Sequence, residues 1–249
     1  MRPGLLVLAG LAALGLGALS GCESTQSRSA ELEEQGAKTL LADSGLEIGK
    51  QSSEVTVADT ELLSDDNGSA VVVTLRNRSQ RDLVDVPILV DVRDAKGKSV
   101  YRNDIPGIEP ALAAVPYIPA GGAVEWVNDQ VLTSGKPKRV EVKVGADAGS
   151  FDGEIPQVEV SDPKLDGDPV SGIEATGDIV NRSGEDQGRL LLYVVARKGG
   201  EVVAAGRGAI EHLKAGTKPV HYDVFFIGDP SGAELELSAY PTLPGQGPE

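Results

Sequence analysis

Two kinds of apolar pattern divide the chain. Residues 4–19 form one unbroken run of apolar and small residues without a charge. From residue 54 onward the apolar positions come in short, Val-rich stretches separated by Gly, Pro, Asn and Asp. Such short stretches, alternating in places with period two and bounded by turn residues, predict β-strands. In the first half the expected strands are 54–63, 70–77, 84–93, 99–102, 123–132 and 139–145. In the second half they are 157–165, 172–181, 189–197, 201–210, 219–227 and 233–240. Pro87 falls inside 84–93. Proline cannot donate to a ladder, so a sheet edge or a bulge is expected there.

The two sets of strands repeat one another. Val55-Thr56-Val57-Ala58-Asp59-Thr60-Glu61-Leu62 returns as Val158-Glu159-Val160-Ser161-Asp162-Pro163-Lys164-Leu165. Asn77-Arg78-Ser79 returns as Asn181-Arg182-Ser183, and Ala120-Gly121 as Ala215-Gly216. A period of about a hundred residues is too long for a solenoid unit and fits a whole small domain. The expected architecture is all-β: two tandem immunoglobulin-like β-sandwiches at 53–146 and 156–241, joined by a linker at 147–155. An acidic, flexible tether at 22–52 precedes them, with a possible helix over 29–41. A disordered tail at 242–249 follows.

The apolar run at 4–19 opens after Arg2 and closes on Leu19-Ser20-Gly21-Cys22, which holds the only cysteine of the chain. It is shorter than the roughly 18 residues of a membrane-spanning helix, so it reads as a removable export signal, residues 1–21. The four closing residues resemble the lipobox of bacterial lipoproteins. That resemblance implies cleavage before Cys22, a diacylglyceryl group on its sulfur, and often a further acyl chain on the new amino group. Two chains anchor stably where one is marginal. The protein would then sit outside the cytoplasm, held to a membrane through Cys22.

Charge narrows the partners. The formal net charge is −15, and losing residues 1–21 would make it one unit more negative. Nucleic-acid binding needs a basic footprint, so nucleic acid is excluded as a partner. An anionic lipid surface would repel the body as well. With Cys22 acylated no thiol is left for a disulfide, and each module must rely on its own core.

The order of strand, Asn-x-Ser turn, apolar strand, Asp-x-x-Gly turn and strand resembles the FxLYD type of immunoglobulin-like domain found in bacterial extracytoplasmic proteins and lipoproteins. The naming motif is degraded. The first copy has Val90-x-Val92-Arg93-Asp94 and the second Tyr193-x-Val195-Ala196-Arg197. The resemblance implies a fold more than an activity.

Candidate chemistry is sparse. The histidines are His212 and His221, and a triad of Ser238, His221 and Asp223 has no supporting motif, so no enzyme is expected. Asp65-Asp66-Asn67-Gly68 and Asp166-Gly167-Asp168 offer oxygen ligands for calcium but lack the full binding loop and suit plain turns. No metal or cofactor is expected. Arg76, Arg78 and Arg81 make one basic spot, with Asp82 and Asp85 as nearby partners. The best partner-binding candidate is a length difference: Gly97 to Gly121 is about eight residues longer than Gly200 to Gly216. The excess lies in a proline-stiffened stretch, 103–119, with Ile105, Ile108, Leu112, Val115, Tyr117 and Ile118 as candidate contacts. The alternative is that this stretch folds over its own sandwich or docks on the second. The expected function is a non-enzymatic, membrane-anchored binding or scaffold module for a protein partner. The alternative is a lipoprotein that binds a small ligand or metal ion and serves a transporter.

Overall fold

A computed structural model describes residues 45–168, 172–216 and 218–243. The signal segment, Cys22, the possible helix at 29–41 and residues 244–249 lie outside the described residues. The described chain is all-β apart from one short 3-10 turn, Pro110–Leu112. The first module contains β1 (Val55–Asp65), β2 (Gly68–Asn77), β3 (Asp82–Arg93), β4 (Ser99–Arg102), β5 (Ala114–Ile118), β6 (Ala123–Asn128), β7 (Arg139–Val144) and β8 (Gly149–Phe151). The second contains β9 (Val158–Val160), β10 (Lys164–Asp168), β11 (Gly172–Asn181), β12 (Leu190–Lys198), β13 (Glu201–Ile210), β14 (Val220–Phe225), β15 (Ile227–Gly228) and β16 (Glu234–Tyr240).

Each module is a sandwich. In the first, β1-β2-β6 faces a sheet centred on β3, which pairs with β4 and β5 along one edge and with β7 and β8 along the other. In the second, β11 pairs with β9, β10 and β14, and the facing sheet runs β15-β13-β12-β16. The repeat is visible in the register. Val55 pairs with Asn77, and Val158 with Asn181. A bulge follows Val92 in one module and Ala196 in the other.

The Asn-x-Ser corner is the same device twice. Asn77 is buried, its Nδ2 donating to the carbonyls of Arg81, Ile118 and Pro119 at 2.8, 3.2 and 3.1 Å, while Oδ1 accepts from Ser79 N at 2.9 Å. Asn181 Nδ2 donates to Glu185 O and Leu213 O at 2.8 and 2.9 Å, and its Oδ1 accepts from Ser183 N at 2.9 Å. A buried amide with its donors and acceptor satisfied pins strand ends that would otherwise fray.

Several boundaries differ from expectation. Module one begins before residue 53. Ser52 N donates to Val144 O at 2.8 Å and Ala146 N to Lys50 O at 3.0 Å, so residues 50–52 form a strap on the end of β7. Upstream, Gly45 lies so close to the Asp104 carbonyl that a β-carbon there would sit 1.7 Å from its oxygen. The expected linker at 147–155 contains β8, which pairs with Asp82–Val84. The single strand expected at 157–165 is split into β9 and β10 around Pro163. β5 lies within a stretch read as a loop because of its prolines. Pro87 sits in a central strand; it is accommodated beside Asp85, whose φ is 48°, where the outer partner of β3 changes from β8 to β7. The expected tail begins with an ordered stretch: Leu243 is buried, and Thr242 Oγ1 donates to Arg189 O at 2.6 Å.

The modules are not beads on a string. β12 is buried on both faces. Leu190, Leu192, Val194 and Ala196 point into the second core, while Leu191, Tyr193 and Val195 join the first. The first core also takes in Ala205 and Tyr240. The sheet β1-β2-β6 is therefore covered on both sides, and β2 is itself buried almost throughout. Each aliphatic side chain so buried contributes about 1.5–3 kcal/mol against exposure.

Candidate functional site at the seam between the modules

The seam has an apolar centre and charged clasps. β13 brings the first clasp. Gly206 and Gly208 flank Arg207, and a β-carbon at Gly206 would lie 2.0 Å from Phe225 O. Only glycine lets β13 press on β14 there, and the intervening Arg207 then points the other way, into the seam. Its side chain is 5% exposed. Nη1 and Nη2 donate to Glu109 Oε1 and Oε2 at 2.7 and 2.6 Å, a two-pronged pair, and its backbone N donates to Asp129 Oδ2 at 3.0 Å. Arg189 Nη2 reaches Glu109 Oε1 at 2.8 Å. Hydrogen bonding from Arg207 holds the Glu109 carboxyl below the usual range, against the opposing effect of burial. Asp129 goes the other way: burial pushes it up, with Arg207 only partly offsetting this.

A second clasp joins Arg197 on β12 to Glu125 on β6, with Glu236 3.5 Å from the Arg197 Nε. Burial raises the Glu125 pKa; Arg197 opposes this and Glu236 adds to it. Between the clasps, the rings of Tyr193 and Tyr240 meet at 5.1 Å with a 52° tilt. The Tyr193 hydroxyl is buried without a hydrogen-bond partner, and burial raises its pKa. A third contact comes from the β1–β2 turn. Asp65 Oδ1 accepts from Asn67 N and Gly68 N at 2.7 and 3.1 Å, and Oδ2 accepts from Gly228 N across the seam at 2.8 Å. Beside it is an open groove of about 530 Å³ lined by Leu63, Asp65, Ile173, Val203, Phe226 and Asp229, among others.

Glu109 belongs to the stretch singled out for its extra length. That stretch carries the chain away from β4, across to the second module and back into β5. Asn103 holds its base, donating to Ile88 O and Leu112 O at 2.8 and 2.7 Å and accepting from Val90 N at 2.7 Å. Trp126 Nε1 donates to Ala111 O at 3.0 Å. Leu112, Val115 and Ile118 are buried, which corrects their assignment as partner contacts. Ile108 is half-buried. Tyr117 is half-buried and its hydroxyl donates to Asp82 at 2.7 Å; burial and that carboxylate push its pKa up to about 12. Ile105 alone of the six is an exposed large hydrophobe, at 54%.

The other candidates are dispersed. Arg81 pairs with Glu54 at 2.7 Å, while Asp82 is taken by Tyr117 and by Ala120 N. His221 lies exposed on β14, 3.4 Å from Asp178, whereas Ser238 lies on β16 in the other sheet. Asp166 Oδ1 accepts from Gly167 N, as a turn residue does. Among the described residues no three His, Cys, Asp or Glu side chains group as a metal site would.

Sequence reasoning missed Arg207, Glu109, Asp129 and Arg189. One signal was present: Arg207 is the sole charge inside residues 202–210. An isolated charge in an otherwise uncharged strand implies a buried counter-ion. At the seam the charges largely saturate one another, which suits holding two surfaces together. No family model matches the chain, and no curated protein matches it.

Proposed function

We propose that this chain is a non-enzymatic lipoprotein, anchored outside the cytoplasm through acyl chains on Cys22, whose two modules form one rigid binding or scaffold platform. The observation that supports the reading best is the seam. Joints between domains of one chain are ordinarily modest and polar, and allow motion. Here a strand buried on both faces and two partly buried ion-pair clasps tie the modules into a single body. A rigid surface loses little freedom on engaging a partner. The lipobox-like Leu19-Ser20-Gly21-Cys22 supports the anchor.

Intact-mass analysis of the protein from membranes is expected to find Cys22 at the N-terminus and acylated, with Cys22→Ala leaving the membrane fraction. A bare thiol, or an uncut soluble chain in the cytosol, would sink the anchor. Photo-crosslinkers on the outer faces, used in intact cells, are expected to trap a discrete partner only when Cys22 is present.

The groove beside Asp65 favours a second reading, a binder of small ligands or metal ions that serves a transporter. A thermal-shift screen giving a stabilisation that Val203→Trp abolishes would select it.

A further inference from the structure

The structure differs from edge to edge in how its sheets end. An uncovered strand edge offers a row of unpaired N–H and C=O groups, and proteins blunt such rows. β1 is bent by a bulge between Val57 and Asp59. β4 is four residues long, and β5 carries Pro116. The strap at 50–52 caps the end of β7. Pro163 separates β9 from β10. β13 presses Gly206 and Gly208 against β14, and its own far edge is partly taken by the two-residue β15.

β16 has none of these protections. It is seven residues long, contains no proline, and pairs with β12 in unbroken register from Glu234↔Arg197 to Tyr240↔Leu191. No described segment pairs with its outer side. The strap of the first module has no counterpart here. Ala146, whose N–H the strap uses, corresponds in the repeat to Pro241, which has no N–H.

We infer that β16 is a docking edge for an extended segment of a partner protein in which apolar and basic residues alternate. The two faces of the strand specify that pattern. Leu235, Leu237 and Ala239 pack on the second core but remain half-open, so an added strand would cover them with its own apolar residues. Glu234, Glu236 and Ser238 are exposed on the opposite face. Two carboxylates in a chain of net charge −15 oppose docking of a second copy and attract lysine or arginine at alternate positions. The inference deepens the binding-platform reading, on which it rests, and does not depend on the anchor.

The test uses the full-length chain in detergent and three end-capped peptides matched to β16 in length. One alternates valine and lysine, one alternates valine and glutamate, and one is the lysine peptide with prolines in place of the central valines. The lysine peptide is expected to bind about tenfold or more tighter than the glutamate peptide, and the proline peptide not to bind. Binding is expected to slow amide exchange across residues 234–240. The charge-reversed variant Glu234→Lys, which leaves the Glu236–Arg197 pair in place, should weaken the lysine preference at least severalfold while keeping its thermal transition. The inference is overturned if the lysine peptide does not bind, binds the reversed variant equally well, or leaves exchange at β16 unchanged. It is also overturned if the outward-pointing amides of β16, those that do not donate to β12, are already protected in the free chain, because another segment or a second copy would then hold the edge. A negative result would leave the acylation experiment on Cys22 untouched, so the two failures are distinguishable.

Discussion

Asn77 shows how much one side chain can organise. Asn77→Ala strands three carbonyls and an N–H and is expected to cost about 2–3 kcal/mol, read as a lower urea midpoint. Asn77→Asp should cost more, because a carboxylate would face those carbonyls. Arg207→Met leaves Asp129 without its cation and Glu109 with Arg189 alone, and is expected to cost about 3 kcal/mol; adding Glu109→Gln and Asp129→Asn should restore much of it. The carboxylates at the seam also set a pH profile. Asp129 and Glu125 have raised pKa values in the folded state, so that state binds the extra proton, and stability grows as pH falls from neutral through those values. Glu109 is lowered, so its contribution is present above the ordinary carboxylate range and lost as pH falls through its folded value. A stability maximum in mildly acidic solution is therefore expected. Asp129→Asn should flatten its neutral side, as checked by melting temperature against pH. The Asn-x-Ser pairs were legible as turns from their residue types. Their burial was not, because it depends on carbonyls about forty residues away in one case and thirty in the other.

At the scale of elements, most strands follow from alternation and turn chemistry, and their ends fall within a few residues of expectation. The misses have physical reasons. β5 reads as a loop because Pro116 breaks the pattern, yet it lies on an edge, where proline is tolerated. The uninterrupted apolar run of β12 marks a strand covered on both faces. Its neighbour β16 alternates, as a one-sided strand should. That contrast is what a layer outside the second sandwich produces, and by itself it does not say which sheet supplies the layer. Gly206→Ala would drive a methyl group into the Phe225 carbonyl. It is expected to destabilise by about 1–3 kcal/mol and to loosen β14, seen as faster amide exchange at 220–225.

For the whole molecule, the duplication was visible in the sequence but the joint was not. The residues that make the joint are ordinary core residues and charges scattered over distant stretches, and no local spacing tells which of two cores a side chain joins. Since Leu191, Tyr193, Val195 and Tyr240 belong to the first core, neither module can lose its structure without exposing the other. Calorimetry is expected to show one transition with equal calorimetric and van't Hoff enthalpies. Two separated transitions would contradict the shared core.

The strap at 50–52 has a mechanical consequence. Tension from the N-terminal side meets its two backbone bonds to β7 before it reaches the eleven-residue ladder of β1. Once those bonds part, residues 45–53 can lengthen toward an extended reach of roughly 30 Å, at about 3.3 Å each, and the slack is that reach less the span they already cover. A tug is thus absorbed by a small, re-formable clip, and the folded body behind it feels nothing until that length is spent.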